Sequence, residues 1–282
     1  MQRVIGMTPI TRLVLLVGVA YLGYALLLVL FQRSLLFPGR WLTPPAMPSG
    51  VAAAAETVWL TTSFGAVESR LAVPHSVGGP FPLVIVFHGN GELIDSPHPA
   101  FEQLLRLGCA LLLVEYPGYG RSAGRPRQQT LIETALAAFD AVSVRPVIDR
   151  TRIVSFGTSI GAYPATVLAV QRPVQALILA APFTSLRPFA HRHLLPAWLL
   201  FDYFDNLATI PQYAGRTLVL HGQYDTIVPF EHGQQVAAAA VQGQLVALPA
   251  DHNDLLEQSR FWDEVRAFLA ATVLPAVKVL QK

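Results

Sequence analysis

Three side chains in this sequence could together move a proton and open an acyl bond. Ser159 lies in Gly157-Thr158-Ser159-Ile160-Gly161, directly after the apolar run Ile153-Val154 and before an Ala/Val/Leu-rich segment. A strand that turns sharply into a helix on such glycines pushes a serine hydroxyl out of the sheet edge, and small neighbours relieve the crowding. Asp225 follows 66 residues later and His252 follows 93 residues later. A serine hydroxyl is a poor nucleophile until a base takes its proton. Histidine can do so near neutrality, and a carboxylate can hold the imidazole in the needed tautomer. Each residue alone has an ordinary explanation. A serine in a glycine-rich turn is usually structural, an aspartate after a strand usually caps a turn, and a loop histidine is usually solvated. Their conjunction at the ends of strand-like runs is what points to catalysis.

Those runs alternate with helical patterns. Val58–Thr61 and Ser69–Val73 read as a hairpin around Phe64-Gly65. Further strands fit Leu83–Phe87, Ala110–Tyr116, Arg152–Phe156, Ala176–Ala180, Thr217–Leu220 and Leu245–Leu248, and helices fit Pro99–Leu107, Thr130–Val142, Ile160–Gln171, Phe230–Val241 and Asp254–Ala271. Such alternation predicts right-handed crossovers and a mainly parallel sheet, whose ligands gather at the carboxyl ends of the strands. Ser159, Asp225, His252 and the segment His88-Gly89-Asn90-Gly91 all fall there. The backbone N–H groups of Ile160 and of Asn90 or Gly91 are then candidates to stabilise an oxyanion. Asp251, Asp254, Asp202 and Asp205 are weaker candidates for the acid, with Asp254 expected to cap the last helix. The interval from Phe183 to Arg216 breaks the alternation and reads as a small cap, which predicts an open, shallow site.

The chain has 282 residues, 52% hydrophobic and 13% charged, with a net charge of +2. Its basic residues are scattered, which argues against a nucleic-acid partner. The single cysteine, Cys109, excludes an intramolecular disulfide. From Leu13 to Phe31 no residue is charged. As a helix, this run is about 28 Å long, enough to cross a bilayer core. A cleavable leader normally has a shorter apolar region ending at small residues, whereas this run ends in Leu28-Val29-Leu30-Phe31. The expectation is an uncleaved single-pass anchor. Arg3 and Arg12 before it nearly balance Arg33 and Arg40 after it, so the expected placement of the main domain opposite the cytoplasm rests on the terminal amine.

Residues 1–36 are therefore expected to carry the anchor (span about 13–31), 37–56 a Pro/Ala-rich linker, 57–272 the main domain with its insertion at 183–216, and 273–282 a tail. The Pro117–Gly124 segment has the wrong glycine spacing for a dinucleotide loop and reads as a tight strand-to-helix connection. Arg121, Arg125 and Arg127 in or near it fit a solvated loop. His191 and His193 lack a third metal ligand nearby in sequence and read as a surface pair. The Leu194–Phe201 stretch fits ordinary cap packing, an acyl pocket or a bilayer contact.

Taken together, the segments Phe87–Gly91, Leu113–Ser122, Gly157–Gly161, His221–Pro229 and His252-Asn253-Asp254 resemble the alpha/beta-hydrolase superfamily, and within it a membrane-anchored serine-hydrolase branch with serine-aminopeptidase-like or dienelactone-hydrolase-like domains. The resemblance spans roughly residues 58–270. The apolar segment followed by Gln32–Pro38 is similar to that branch too. It implies an α/β fold with a mainly parallel eight-stranded sheet, a small cap and an N-terminal transmembrane helix. It implies a triad of Ser159, Asp225 and His252, oxyanion donors at Asn90 or Gly91 and Ile160, and a turn built on Gly157 and Gly161. It implies no metal and no organic cofactor. The implied activity is hydrolysis of carboxylic esters or thioesters of small-molecule or acylated substrates, and the anchor points to lipid-like or membrane-proximal ones. The alternatives are peptidase action or a non-catalytic tethered binding protein. One departure is Glu115-Tyr116-Pro117, where relatives more often carry Asp-Tyr-Arg, which is expected to alter the pocket rim.

Overall fold

The computed structural model describes residues 8–75 and 78–274. The remaining residues, including most of the expected 273–282 tail and Arg3, lie outside the described residues. In chain order the elements are α1 (Pro9–Leu36), β1 (Glu56–Thr62), β2 (Gly65–Ala72), β3 (Phe81–Phe87), α2 (Glu102–Arg106), β4 (Ala110–Val114), α3 (Gln128–Val142), β5 (Ile148–Thr158), α4 (Ala162–Gln171), β6 (Ala176–Ala180), α5 (Arg187–Arg192), α6 (Asn206–Thr209), β7 (Arg216–Gly222), α7 (Phe230–Ala239), β8 (Gln242–Leu248) and α8 (Ser259–Ala270).

The eight strands form one sheet in the order β1-β2-β4-β3-β5-β6-β7-β8. The first two join antiparallel, and all pairs from β4 to β8 are parallel. From β3 the chain steps outward to β4, then returns to place β5 on β3's other side. The strand order reverses there, and the crevice outside the carboxyl ends of β3 and β5 is the natural place for a ligand.

β3 is apolar throughout because both its faces are covered. Leu83, Ile85 and Phe87 pack in the layer that holds Leu131 and Ala135 of α3 and Leu168 of α4. Val84 and Val86 pack on the other side with Phe261, Trp262 and Val265 of α8. Several helices are shorter than their sequence patterns. One 3-10 turn, Ser159–Gly161, precedes α4, and another, Leu255–Glu257, is separated from α8 by an extended Gln258. Asp254 does not cap α8: its Oδ1 accepts from the backbone N of Asp251 at 2.6 Å.

Residues 37–56 run against the domain. Phe37 and Ala52 are fully buried, the N–H of Gly39 donates to Asn90 O at 3.1 Å, and that of Ser49 donates to Asp95 O at 2.8 Å. Arg121, expected to be solvated, ties down the loop after β4 by donating to Asp95 at 2.7 Å and Glu68 at 2.8 Å.

α1 begins with Thr8, whose Oγ1 accepts from Thr11 N, and with Pro9 in the first turn, where a missing N–H costs nothing. It is long and apolar enough to cross a membrane. Its only buried residues are Ala25 and Gln32. The Phe183–Arg216 interval contains α5, 3-10 turns at Ala197–Leu199 and Ile210–Gln212, and α6, with no strand before β7 begins at Arg216. The second half of α1 lies against this insertion.

Candidate active site

β5 delivers Ser159 to the switch point. The serine has φ +53°, the left-handed region that ordinary residues avoid. The turn is possible because its flanks have no Cβ. A methyl group on Gly157 would strike the backbone of Gly161, and one on Gly161 would strike the carbonyl of Phe87. The expected glycine roles therefore have a direct steric cause, and the strain sits where a reactive group is displayed.

Asp225 and His252 arrive from the loops after β7 and β8. His252 Nε2 lies 3.1 Å from Ser159 Oγ, and His252 Nδ1 lies 2.7 Å from Asp225 Oδ2. The structure thus brings the three sequence-predicted residues into one hydrogen-bonded chain. The carboxylate is buried, and its second oxygen accepts the N–H groups of Ile227 at 2.9 Å and Val228 at 2.7 Å. Burial pushes the Asp225 carboxyl up. Hydrogen bonds from His221, His252 and the Val228 N–H outweigh burial and hold it well below the ordinary carboxylate value. It stays ionised, so Nδ1 of His252 carries the proton and Nε2 faces the serine free to accept one.

The other acidic candidates do different work. Asp251 Oδ1 accepts the N–H groups of Thr226 and His252, bracing the two loops against each other. Asp202 pairs with Arg33 at 2.8 Å, and Asp205 caps α6 through Ala208 N. Among the described residues, no group of three or more His, Cys, Asp or Glu side chains is placed to hold a metal ion.

The loop after β3 is rigidly supported. His88 lies between Glu115 Oε1, 2.8 Å from Nε2, and Gly89 O, 2.7 Å from Nδ1. Both ring nitrogens face acceptors, which favours the imidazolium. Burial pulls the His88 pKa down, but the charge and hydrogen bond of Glu115 overcome it and raise the value. Tyr116 Oη donates to His88 O and Tyr119 Oη donates to Asn90 O. Glu115 is therefore a buried anchor of this loop rather than part of the pocket rim. Its second oxygen accepts from Ile94 N at 3.2 Å.

Ser159, Ile160 and Asn90 line one cavity of about 300 Å³, whereas Gly91 is exposed and absent from the lining. α1 lines one side of it with Leu28, Gln32, Leu35 and Leu36, the insertion lines the other, and the cavity stays partly open to solvent. His191 and His193 are both exposed, as expected of a surface pair, and His193 also lines this cavity.

Sequence reasoning missed two supports. His221, fully buried at the end of β7, donates from Nε2 to Val228 O at 2.8 Å and lies 3.4 Å from Asp225 Oδ2. A polar residue closing the apolar run Thr217–Leu220 was the available signal. The attachment of α1 was missed as well. Gln32 donates to Leu199 O and accepts from Phe201 N, and nothing in the local sequence pairs residues so far apart.

Comparison with known proteins gives these features a family. A model described as "Serine aminopeptidase, S33" matches residues 78–209. An uncharacterized protein of Mycobacterium tuberculosis is 37% identical over 250 residues, covering 86% of this chain and 88% of the relative. The alpha/beta hydrolase domain-containing protein WAV2 of Arabidopsis thaliana is 34% identical over 250 residues, covering 79% of this chain and 80% of the relative. The chain belongs to the alpha/beta-hydrolase family. The fold agrees with the structure of Est1E from Butyrivibrio proteoclasticus with ferulic acid bound. The TM-score is 0.67 at 18% identity, with 77% of this chain and 100% of that chain covered. As an alpha/beta hydrolase, the chain carries its candidate site at the switch point of the sheet.

Proposed function

We propose that this alpha/beta hydrolase is a membrane-anchored serine hydrolase that cleaves carboxylic esters or thioesters. The observation that carries the reading is the Ser159–His252–Asp225 hydrogen-bonded chain at the mouth of an apolar cavity. Ser159 Oγ bonds to the acyl carbon as His252 Nε2 takes the hydroxyl proton. The carbonyl electron pair moves onto oxygen, facing the N–H groups of Ile160 and Asn90. Collapse breaks the bond to the alcohol or thiol, which leaves with the proton held by His252. Water then attacks the acyl-enzyme, gives a proton to His252, and the bond to Ser159 breaks to release the acid and restore the hydroxyl.

Asn90 fits the oxyanion role better than Gly91 because it lines the cavity. Peptidase action of the aminopeptidase type is less well supported. A free ammonium needs a carboxylate partner in the pocket, and the lining residues include none. A purely binding role has no use for a strained serine aligned with a buried, ionised Asp–His pair. α1 supplies the proposed anchor, with the main domain proposed opposite the cytoplasm.

A fluorophosphonate probe tests the reading. Wild type is expected to be labelled and Ser159→Ala is not. Equal labelling of both, or none of wild type, rejects it.

A further inference from the structure

The face that α1 turns to the insertion recurs at helical spacing. Tyr21 Oη donates to Leu194 O at 2.8 Å, and Tyr24 Oη donates to His193 O at 3.0 Å. Ala25 packs with Ala190 and Leu195. Leu28, Gln32, Leu35 and Leu36 then face the cavity. The last turn reaches the site itself, because Asn90 Nδ2 donates to Leu36 O at 3.1 Å.

A bilayer core takes about 20 helical residues. α1 has 28, Pro9–Leu36. Every stretch of about 20 residues within it includes positions 17–28. Tyr21, Tyr24, Ala25 and Leu28 therefore lie at membrane depth in any register, and so do the parts of the insertion they touch. Part of the outer surface of that insertion fits this depth: Leu194 is 72% exposed and Trp198 76% exposed, and water is a poor solvent for both, while the exposed His191, Arg192 and His193 beside them must carry their polar ends to the headgroups. The tyrosine hydroxyls satisfy insertion carbonyls that lipid could not.

The cavity is lined by Ser159 and, along α1, by residues from Leu36 to Leu28, a rise of about 12 Å along the helix. One end is the relay and the other is at membrane depth. An apolar cavity of roughly 150 Å³ accepts a six-carbon ring, so by the same ratio this one takes an acyl chain of about a dozen carbons. We propose that α1 is the inner wall of an acyl-binding site and that the substrate is a membrane-resident fatty-acyl ester or thioester whose chain enters sideways from the bilayer between α1 and the insertion. This rests on the hydrolase reading and on α1 spanning the membrane. The carbonyl carbon sits at Ser159, the methyl end points toward Leu28, and a longer chain continues into lipid.

The test uses the full chain in phosphatidylcholine vesicles, with p-nitrophenyl acetate, octanoate and palmitate as probes. Leu28→Trp fills the cavity wall and is expected to lower the palmitate-to-acetate ratio of kcat/KM by about tenfold, the equivalent of about two buried methylenes. Leu28→Ala opens the wall and is expected to raise the ratio. Leu30→Trp, on a face of α1 that is 63% exposed, is expected to leave the profile unchanged. Opposite shifts from the two Leu28 variants cannot come from loss of folding. Ratios that match wild type in both Leu28 variants, with turnover intact, overturn the inference and leave the hydrolase standing. No turnover or phosphonate labelling in wild type removes both. Recovery of the chain in the alkaline-washed soluble fraction removes the bilayer route alone and with it this proposal. Parallel assays with a palmitoylated cysteine peptide and a diacylglycerol, both in vesicles, decide between thioester and ester sources. Turnover of neither overturns the membrane-resident substrate.

Discussion

The floor and the roof of the cavity are built by different physics. The floor is set by strand ends. Ser159, Asp225 and His252 each follow a parallel strand, and their loops are held by buried hydrogen bonds such as those from Ile227 and Val228 to Asp225. Main-chain spacing leaves little room for adjustment, as the crowding around Gly157 and Gly161 illustrates. The roof is an apolar helix laid against an irregular insertion, joined by a few polar links: Tyr21, Tyr24, Gln32 and the Arg33–Asp202 pair. In the proposed function the chemistry stands on the rigid part, where sub-ångström placement matters, and shape selectivity falls to the part that tolerates substitution.

The largest test of this contrast is at the floor. Ser159→Ala and His252→Ala should each lower kcat by about 10⁶-fold with little change in unfolding temperature, since removing one member of such a unit disables it. An equal loss of stability would mean the relay also holds the fold together. The supporting layer should respond through stability. Glu115→Gln leaves His88 buried without its counter-charge and should cost about 3–5 kcal/mol in denaturant unfolding.

The same pair sets a pH dependence. The folded-state pKa of His88 is raised above its ordinary 6.5. Its stabilising contribution is therefore complete below that value and lost as pH rises through the folded value. His232 has the opposite sign. Burial is the main cause of its lowered pKa, so its contribution is present above 6.5 and lost as pH falls through the folded value. Unfolding midpoints measured across this range should fall on the alkaline side for wild type but not for Glu115→Gln.

Gly161→Ala tests the steric claim. Forcing a methyl group into the Phe87 and His88 carbonyls should cost about 1–3 kcal/mol and, by moving Ser159, about 10²-fold in kcat. Normal activity would show that the elbow has slack. The smallest effect belongs to the roof. Arg33→Ala should cost about 1 kcal/mol. Amide exchange should speed up around residues 186–202 while β5 and β7 stay protected. Uniform loss of protection would dissolve the distinction between floor and roof.

Much of the floor is legible in the sequence. The continuous apolar runs marked buried strands, the glycines around Ser159 marked a crowded turn, and the polar residues after the strands marked the rim where they meet. Element ends were less readable. Thr158 continues β5 and Gln258 interrupts the last helix because hydrogen bonding with neighbours, rather than local propensity, decides where an element stops.

Local patterns, with the rule that sheet loops converge, were enough to set the period of each element, the parallel sheet and the order of Ser159, Asp225 and His252 along the chain. Packing between distant segments settled which face of α1 meets the insertion, that Asp202 answers Arg33 across 169 residues, and that the last turn of α1 holds Asn90, which shares the serine's cavity. Those contacts depend on shape matching between surfaces distant in the chain. An apolar helix carries too little local pattern to say which of its sides will find a partner.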